Sequence, residues 1–451
     1  MAVRPDPADE DGFEQLQRWL EGAGIRIGAG PAGAYAYRWD DLLVRADSPL
    51  LSQVDQRLGP DATPVEEVAG VLRLRVSDVD LALREFGPLQ AEFDRPYNHV
   101  FFGDAGTAYL GNPAYLGNPA YLGNPAYLGN PAYLGNPAYL GNPMASTVLP
   151  ADEPGEWPAR SADDASIAAP PRPVVVVLDT GLAVDEQSGT PAHERLVRHA
   201  VVFDPAVTSD DPFVADDMDE ADANGDGRLD REAGHGTFIS GIIRRLAPDA
   251  TIINVGVLSS FGDGNDFTIA KALKRVIDEV PGVDVVNLSL SGYTSDDKPP
   301  ITLDAVLLNE IQGRPQRPVI VAAAGNNASC RIAWPAGLPG VIGVAALDSV
   351  GRAWFSNFGP WVRACAPGVD VVSTFLTADP AVAEKSGFPV PPGLAGWATW
   401  SGTSFAAPKV AAAIARHMSD HGVDASAAAQ ALVNQYGLFR IPDLGTVVNL
   451  L

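Results

Sequence analysis

The sequence is poor in cysteine and has no long uncharged hydrophobic run. Its only cysteines are Cys330 and Cys365, so the fold is not held by a framework of disulfides. One disulfide and two buried free thiols both remain open at this point. No run of about 18 uncharged apolar residues occurs, which excludes a transmembrane helix. Residues 1–15 are acidic and lack an apolar stretch, so we expect no secretory signal or membrane anchor and a cytoplasmic location. Export by an unrecognised route is the alternative.

Basic residues are scarce as well. The chain has 31 Lys and Arg against 56 Asp and Glu, giving a net charge of −25, and no lysine precedes Lys271. Such a charge disfavours nucleic acid or an anionic membrane as a partner, because both would be repelled. The 451 residues, 46% of them hydrophobic, can bury a sizeable core in one large domain or two.

The first part of the chain, residues 1–104, alternates between predicted strands and helices. Apolar spacing and capping residues indicate a small α+β domain of about 70 residues preceded by a short helix. The pattern alone indicates no chemistry. The predicted strands are residues 35–46, 68–76 and 97–102, and the predicted helices are residues 12–22, 48–59 and 77–87.

Residues 105–172 contain a perfect repeat of the hexapeptide Ala-Tyr-Leu-Gly-Asn-Pro and then a Pro- and Asp-rich stretch. Proline at every sixth position excludes a helix. The spacing fits a parallel β-helix, but the repeats would form only about two coils, too few to bury a core. We interpret the segment as a linker without fixed structure; docking of its Tyr and Leu side chains on a neighbouring surface is the alternative.

Residues 173–451 alternate short, continuously apolar runs with helical stretches. This pattern predicts an α/β domain with a doubly wound, mostly parallel sheet covered on both faces. Its functional site should lie at the carboxyl ends of the strands. The predicted strands are residues 173–181, 250–258, 284–292, 317–326 and 341–348, and the predicted helices are residues 236–247, 266–280, 301–313, 404–418 and 425–437.

Three residues at element ends have the types that nucleophilic acyl transfer requires. Asp179 ends the run of four valines and a leucine, His235 stands between glycines at a helix start, and Ser404 precedes an Ala-rich helix whose first turn would hold Pro408. Each of the three alone would more often be a cap. Together they supply a hydroxyl, a base with a suitable pKa and a carboxylate to orient that base. Asn326 adds an amide donor for an oxyanion.

Five motifs carry a resemblance to the subtilisin-like serine peptidases, or subtilases. They are VVVVLDTG, GHGTFISGI, NLSLSG, AAAGNN and SGTSFAAP, in the order Asp, His, Ser. The resemblance implies that Asp179 orients His235, which acts as general base and then as general acid. It also implies that Ser404 is the nucleophile, and that its backbone N–H and Asn326 form the oxyanion hole.

The resemblance further implies that a peptide or protein substrate binds as an extended strand between two segments. One segment includes Gly262 and Gly264; the other is formed by Ser289, Leu290, Ser291 and Gly292. Ala324 and Gly325 would line the primary pocket. Ser291 stands where the family usually has glycine and would narrow the cleft.

An acidic stretch before His235 matches a calcium-binding loop. Oxygen ligands stand at positions 1, 3, 5 and 9 of an EF-hand-type pattern, but position 12 is Ala233 instead of glutamate. A structural Ca²⁺ and a solvated acidic loop are the two interpretations, and the chemistry itself requires no cofactor. The ligands of such an ion would be Asp222, Asn224, Asp226 and Asp230.

The sequence therefore predicts a serine endopeptidase, and the family resemblance adds the expectation of an N-terminal prodomain that covers the cleft. A targeting or partner-binding module is the rival interpretation of residues 1–104. A catalytically silent scaffold that binds peptides is the alternative function. An ester hydrolase is disfavoured because the G-x-S-x-G motif of that class is absent.

Overall fold

The structure is a computed structural model. The hexapeptide repeat, nearly all of the predicted helix over residues 12–22 and most of the predicted calcium loop lie outside the residues it describes. Those residues are 22–30, 33–103, 148–158, 172–185, 188, 190–203, 219, 221, 229–377 and 395–448.

Nineteen strands occur within these ranges. They are, in chain order, β1 (Ile25–Gly30), β2 (Gly33–Arg45), β3 (Ala62–Val68), β4 (Val71–Val76), β5 (Tyr97–Gly103), β6 (Leu149–Pro150), β7 (Val174–Asp179), β8 (Ala200–Val202), β9 (Thr251–Gly256), β10 (Asp263–Asn265), β11 (Val283–Leu288), β12 (Leu290–Ser291), β13 (Val319–Ala323), β14 (Val341–Leu347), β15 (Ala364–Pro367), β16 (Val371–Thr377), β17 (Ala395–Trp400), β18 (Arg440–Ile441) and β19 (Gly445–Val447).

Seven α-helices separate the strands in the same part of the chain. Short 3₁₀ turns occur at Gly59–Asp61 and Gly87–Glu92, and α5 and α7 continue as single π-helical segments, Val306–Ile311 and Gln430–Asn434. The helices are α1 (Leu51–Arg57), α2 (Val79–Arg84), α3 (His235–Leu246), α4 (Asp266–Glu279), α5 (Ile301–Ala305), α6 (Thr403–His421) and α7 (Ala425–Ala429).

The N-terminal unit is an antiparallel sheet with short helices. Strand β2 pairs with β1, β4 and β5, and β3 pairs with β4. The single strand predicted over residues 68–76 is wrong: Ala69 and Gly70 adopt φ of 49° and 81° and form a tight turn between β3 and β4. Positive φ at both central positions favours a hairpin, which apolar alternation alone does not reveal.

The C-terminal unit is built on a nine-stranded sheet in the order β18-β19-β15-β14-β13-β11-β7-β9-β8. Every pair in it is parallel except β18 with β19. This confirms the predicted α/β fold with a mostly parallel, doubly wound sheet. The sheet brings the carboxyl ends of its central strands to one edge.

Helices cover both faces of this sheet, which explains the unbroken valine run of β7. Val175 and Val177 pack in a core with α3, α6 and α7, whereas Val176 and Leu178 pack in a second core with α4 and α5. All four side chains are fully buried. A strand buried on both sides shows no polar alternation, as predicted for this segment.

The strand predicted over residues 284–292 is broken at Ser289 into β11 and β12. Strand β11 stays in the parallel sheet, but β12 pairs antiparallel with β5, the last strand of the N-terminal unit. Strand β10 pairs antiparallel with the other edge of β5. The N-terminal unit therefore extends one strand, Tyr97–Gly103, into the C-terminal unit.

Two further sequence expectations are resolved by the structure. Cys330 is exposed, Cys365 is buried and both are free thiols, so the alternative of a disulfide is wrong. Among the helices described, none has the length and apolar character needed to cross a bilayer.

Candidate active site

The carboxylate and the imidazole predicted from the sequence meet at the edge of the parallel sheet. Asp179 is the last residue of β7, His235 is the first residue of α3, and both side chains are fully buried. His235 Nδ1 lies 2.6 Å from Asp179 Oδ1, which also accepts a hydrogen bond of 2.8 Å from the Thr180 N–H. A carboxylate at Nδ1 keeps the proton on that nitrogen and leaves Nε2 as the basic atom.

Glycines allow α3 to begin so close to this edge. Gly234 adopts a φ of +81°, and a Cβ there would lie 2.4 Å from the Phe375 ring. A Cβ on Gly236 would lie 2.1 Å from the carbonyl oxygen of Gly181, in the turn after β7. Side chains at these two positions would push His235 away from Asp179.

A second carboxylate, Asp219, supports this junction. It accepts hydrogen bonds from Thr180 Oγ1 (3.0 Å), the Gly234 N–H (2.7 Å) and the Thr237 N–H (3.1 Å). Burial raises its pKa to about 6, although these donors act to lower it. Sequence reasoning missed Asp219 because it stands in an acidic stretch with no periodicity or motif around it.

His235 lies in an aromatic environment that holds its ring in place. The rings of Trp400 and Phe405 are 5.6 and 5.4 Å from the imidazole, centroid to centroid. Burial by itself lowers the pKa of His235, but Asp179, together with the carboxylates of Glu232 and Asp219, outweighs this effect and raises the pKa to about 9. No described residue makes a hydrogen bond to His235 Nε2.

Ser404 is the second residue of α6, as its sequence context predicts. Its hydroxyl donates a 3.0 Å hydrogen bond to the carbonyl of Ser289, and its own carbonyl accepts one of 2.8 Å from Ser289 Oγ. Pro408 lies beyond the first turn, in contrast to the sequence expectation. Because proline has no N–H to offer the carbonyl four residues earlier, the Ser404 carbonyl is available to Ser289.

Asn326 follows β13 and lies beside the start of α6. Its Oδ1 accepts hydrogen bonds from the Thr403 N–H and Thr403 Oγ1, both at 2.9 Å. Thr403 Oγ1 lies 3.1 Å from the Gly325 nitrogen, whose N–H donates to it. With its oxygen held in this way, the amide presents Nδ2 as the donor on its opposite side.

The predicted primary pocket is lined by small residues and supported by Asn357, which sequence reasoning missed. Asn357 Nδ2 donates to the Ala324 carbonyl at 2.8 Å, and Asn357 Oδ1 accepts from the Asn327 N–H at 3.0 Å. A Cβ on Gly325 would lie 2.8 Å from Ser291 Oγ. Ser291 Oγ therefore lies directly beside Gly325.

The two segments predicted to hold a substrate strand lie on either side of β5. Leu290 is opposite Gly103 and Ser291 is opposite Phe102, while Asp263 is opposite Phe102 on the other side. The Gly103 N–H donates a 2.7 Å hydrogen bond to the Gly262 carbonyl. A strand of this chain thus lies where the sequence predicts that a substrate strand would bind.

The predicted metal ligands are mostly outside the described residues. Asp222, Asn224 and Asp226 lie there, and Asp230 accepts a 2.6 Å hydrogen bond from Ser260 Oγ. In the described part of the chain, no three His, Cys, Asp or Glu side chains are grouped so as to hold a metal.

Comparison with known proteins supports the sequence resemblance. The model of the subtilase family matches residues 171–436. A thermophilic serine proteinase of Bacillus sp. (strain AK1) is 36% identical over 210 residues, a match that covers 44% of each chain. Subtilisin DY of Bacillus licheniformis is 31% identical over 202 residues, covering 42% of this chain and 64% of the relative. The matched region is thus less than two thirds of either relative.

A solved structure shares the fold. The crystal structure of fervidolysin from Fervidobacterium pennivorans, described as a keratinolytic enzyme related to subtilisin, superposes with a TM-score of 0.57 at 20% identity. The superposition covers 95% of this chain and 62% of that chain, and therefore extends well beyond residues 171–436.

Proposed function

The chain belongs to the subtilase family, and from that premise we propose that it is a serine endopeptidase. The observation that carries the proposal is the 2.6 Å contact between His235 and Asp179, both buried, at the sheet edge where helix α6 presents Ser404. A buried carboxylate, an oriented imidazole and a hydroxyl at a helix start are the groups of acyl transfer by a serine nucleophile.

The proposed reaction begins with rotation of the Ser404 hydroxyl from the Ser289 carbonyl towards His235 Nε2. Nε2 accepts the hydroxyl proton as Oγ attacks the peptide carbonyl, and the oxyanion is bound by Asn326 Nδ2 and the Ser404 N–H. His235 then gives the proton to the leaving amine, and an ester to Ser404 remains. Water, deprotonated by His235, cleaves this ester and restores the serine.

We propose that substrates bind in the manner of β5, as an extended strand between β10 and β12. Main-chain hydrogen bonds of this kind accept many sequences, and side-chain pockets set the preference. The pair Gly103–Gly262 is one such bond. Phe101, two residues before Gly103 in the strand, is fully buried in an apolar pocket that includes Leu290.

The N-terminal unit is proposed to be an intramolecular prodomain that keeps the cleft covered. Side chains on both units support this proposal. Lys271 Nζ lies 2.8 Å from Glu66 Oε2, and Arg95 Nη1 lies 2.9 Å from Asp304 Oδ2. Arg331 donates a 2.7 Å hydrogen bond to the Ala34 carbonyl. A strand held by these contacts would have to leave before a substrate could bind.

The register of β5 defines where the chain is expected to be cut. A peptide bound in this register would place the residue after the Gly103 position opposite Ser289, whose carbonyl is 3.0 Å from Ser404 Oγ. We therefore expect the first cleavage between Asp104 and Ala105, followed by trimming of the segment before Pro173.

One experiment tests both proposals. Wild type, Ser404→Ala and Ser401→Ala are compared for peptide hydrolysis, for labelling by a fluorophosphonate and for the mass of each chain. Ser401 is the matched control, because it is a serine three residues away whose Oγ accepts a hydrogen bond from the Asp370 N–H. We expect activity, labelling and a shortened chain in wild type and Ser401→Ala, and none of these in Ser404→Ala.

Labelling that persists in Ser404→Ala would refute the assignment of Ser404 as the nucleophile. Wild type that binds peptides but hydrolyses none would favour the silent scaffold. An intact N-terminus in fully active wild type would refute the prodomain and leave the peptidase proposal in place.

A calcium ion bound by residues 222–230 is a separate proposal that rests on the sequence pattern alone. A bound ion would stabilise the native state in proportion to its affinity. A chelator should then lower the melting temperature of the Ser404→Ala protein, and an unchanged melting temperature would contradict the proposal.

A further inference from the structure

Strand β5 ends in Gly103, which places no side chain in the cleft. A Cβ built on Gly103 would lie 3.5 Å from both Cδ and Oε2 of Glu232, an ordinary van der Waals distance. The φ of Gly103 lies outside the left-handed region, so any residue could adopt this backbone conformation. A Cβ at this position is therefore accommodated, and its first contact would be the Glu232 carboxylate.

Glu232 is poorly satisfied while glycine occupies that position. Its side chain is fully buried, and neither carboxylate oxygen accepts a hydrogen bond from a described residue. Arg231 Nη2 lies 3.1 Å from Oε1, and His235 Nε2 lies 4.0 Å from Oε2, the oxygen that faces Gly103. Buried polar atoms nearly always have partners, so an open carboxylate oxygen directed into a cleft indicates a missing donor.

The charges around this position are mainly negative. The groups that act on Glu232 are the carboxylates of Asp179 and Asp219, the guanidinium of Arg231 and the imidazole of His235. Three carboxylates, that of Glu232 included, face one guanidinium and one imidazole. A cation brought by the substrate would pair with the buried Glu232 carboxylate, whereas an anion would add to the negative charge already there.

We propose that the pocket at the Gly103 position selects a basic side chain, lysine or arginine, in the substrate, and that Glu232 is the residue that determines this preference. In the register of β5 this is the second residue before the cleaved bond. The inference rests on the proposed peptidase function. Because Gly103 has no side chain, strand β5 itself makes no ion pair with Glu232. A substrate with a basic residue at this position would make that ion pair and would therefore compete more effectively for the cleft.

The first experiment does not require catalysis. In the Ser404→Ala chain, Gly103→Lys and Gly103→Glu are made alone and together with Glu232→Gln, and melting temperatures are measured. We expect the Lys protein to melt about 2–4 °C above the Glu protein, and this difference to vanish with Glu232→Gln. Equal melting temperatures of the two Gly103 variants, or a difference that survives Glu232→Gln, would overturn the inference.

The second experiment measures preference in catalysis. Peptides that differ only at the second residue before the cleaved bond, with Lys, Gln or Glu, are hydrolysed by wild type, Glu232→Gln and Asp420→Asn, and the cleaved bond is verified by mass. Asp420→Asn is the matched control: it removes the same charge from near the end of α6, roughly 24 Å along the helix from Ser404. It therefore reveals any general attraction of cations by the acidic protein.

We expect kcat/KM for the Lys peptide to exceed that for the Glu peptide by about tenfold or more in wild type and in Asp420→Asn. With Glu232→Gln the ratio should fall to about threefold or less. Because both peptides meet the same variant, a general loss of activity cancels in the ratio. Equal hydrolysis of all peptides by wild type would overturn the inference and leave the peptidase proposal intact. No hydrolysis at all, together with a positive first experiment, would refute the peptidase proposal alone.

Discussion

The two ends of the Asn326 side-chain amide have different roles in the candidate site. Its oxygen is fixed by Thr403, the residue directly before the proposed nucleophile, and its nitrogen is thereby directed away from that residue. The donor that would bind the oxyanion is thus aligned before any substrate arrives. Alignment in advance is what makes such a donor effective, because no reorganisation is needed during the reaction.

Replacing Asn326 by alanine should lower kcat about 100- to 1000-fold with little change in KM, the range known for the equivalent donor of subtilisin. The donor acts on the charge that develops in the transition state, which explains why binding of the substrate is spared. Steady-state kinetics on one peptide would measure both constants. Asn434→Ala, at an exposed asparagine, is the control and should behave as wild type. A loss confined to KM would contradict the role of Asn326.

Single residues differ in how far the sequence predicts them. Asp179, His235 and Ser404 stand in local motifs, and their chemistry identifies them from the order of residues alone. Asp219 and Glu232 contact the same imidazole region through space, from a stretch of acidic residues that look alike in sequence. Their roles depend on which carboxylates become buried, and burial is decided by the packing of distant segments.

At the scale of elements, the start of helix α3 sets the position of the His235 imidazole. Gly234 combines a positive φ with close contact to Phe375. Gly422, after the end of α6, has a similar φ of +64°, but a Cβ at that position would have nothing within 4 Å. A substitution at Gly422 would therefore add backbone strain alone, whereas the same substitution at Gly234 would add both strain and a steric clash.

Gly422→Ala should lower the free energy of unfolding by about 1–2 kcal/mol, the strain of alanine in the left-handed region. Gly234→Ala should cost about 1–3 kcal/mol more, because the added methyl group would displace Phe375 or the helix start. It should also reduce kcat, since His235 begins that helix. Urea unfolding and peptide hydrolysis would measure the two effects. Equal destabilisation by both substitutions would show that the contact with Phe375 is unimportant.

Most strands and helices of the parallel domain were predictable, because their apolar runs are long and their ends are marked by Gly, Asp or Asn. The break at Ser289 was not. Its cause is the pairing of β12 with β5, a strand almost 190 residues earlier in the chain. The hairpin at Ala69 was missed for a local reason, since alanine is an unusual residue for positive φ.

At the scale of the whole molecule, buried titratable groups make stability depend on pH. The pKa of His235 is raised from 6.5 to about 9, so its contribution is fully present below pH 6.5 and is lost as pH rises to 9. Asp219 and Glu232, whose pKa values are raised to about 6 and about 7, also lower the stability of the fold as pH rises, but over a lower pH range. Lys409, whose burial lowers its pKa to about 8, instead increases the stability of the fold as pH rises above that value.

The Ser404→Ala chain should therefore be less stable at pH 9 than at pH 6.5, with a contribution from His235 on the order of 3 kcal/mol. Adding His235→Gln should remove most of this difference, because glutamine does not titrate. Urea unfolding of both proteins at the two pH values would test this. The same pH dependence in both would exclude His235 as its source.

The strand that occupies the cleft and the serine at its end are made at different times. Strand β5 ends at Gly103, and Ser404 follows roughly 300 residues later, a delay on the order of 15–60 s during synthesis by a ribosome. The N-terminal unit can fold in that interval. Under the prodomain proposal, the strand that covers the site is thus complete before the site can assemble, and we expect the newly made chain to pass through no stage in which an exposed nucleophile lacks its cover.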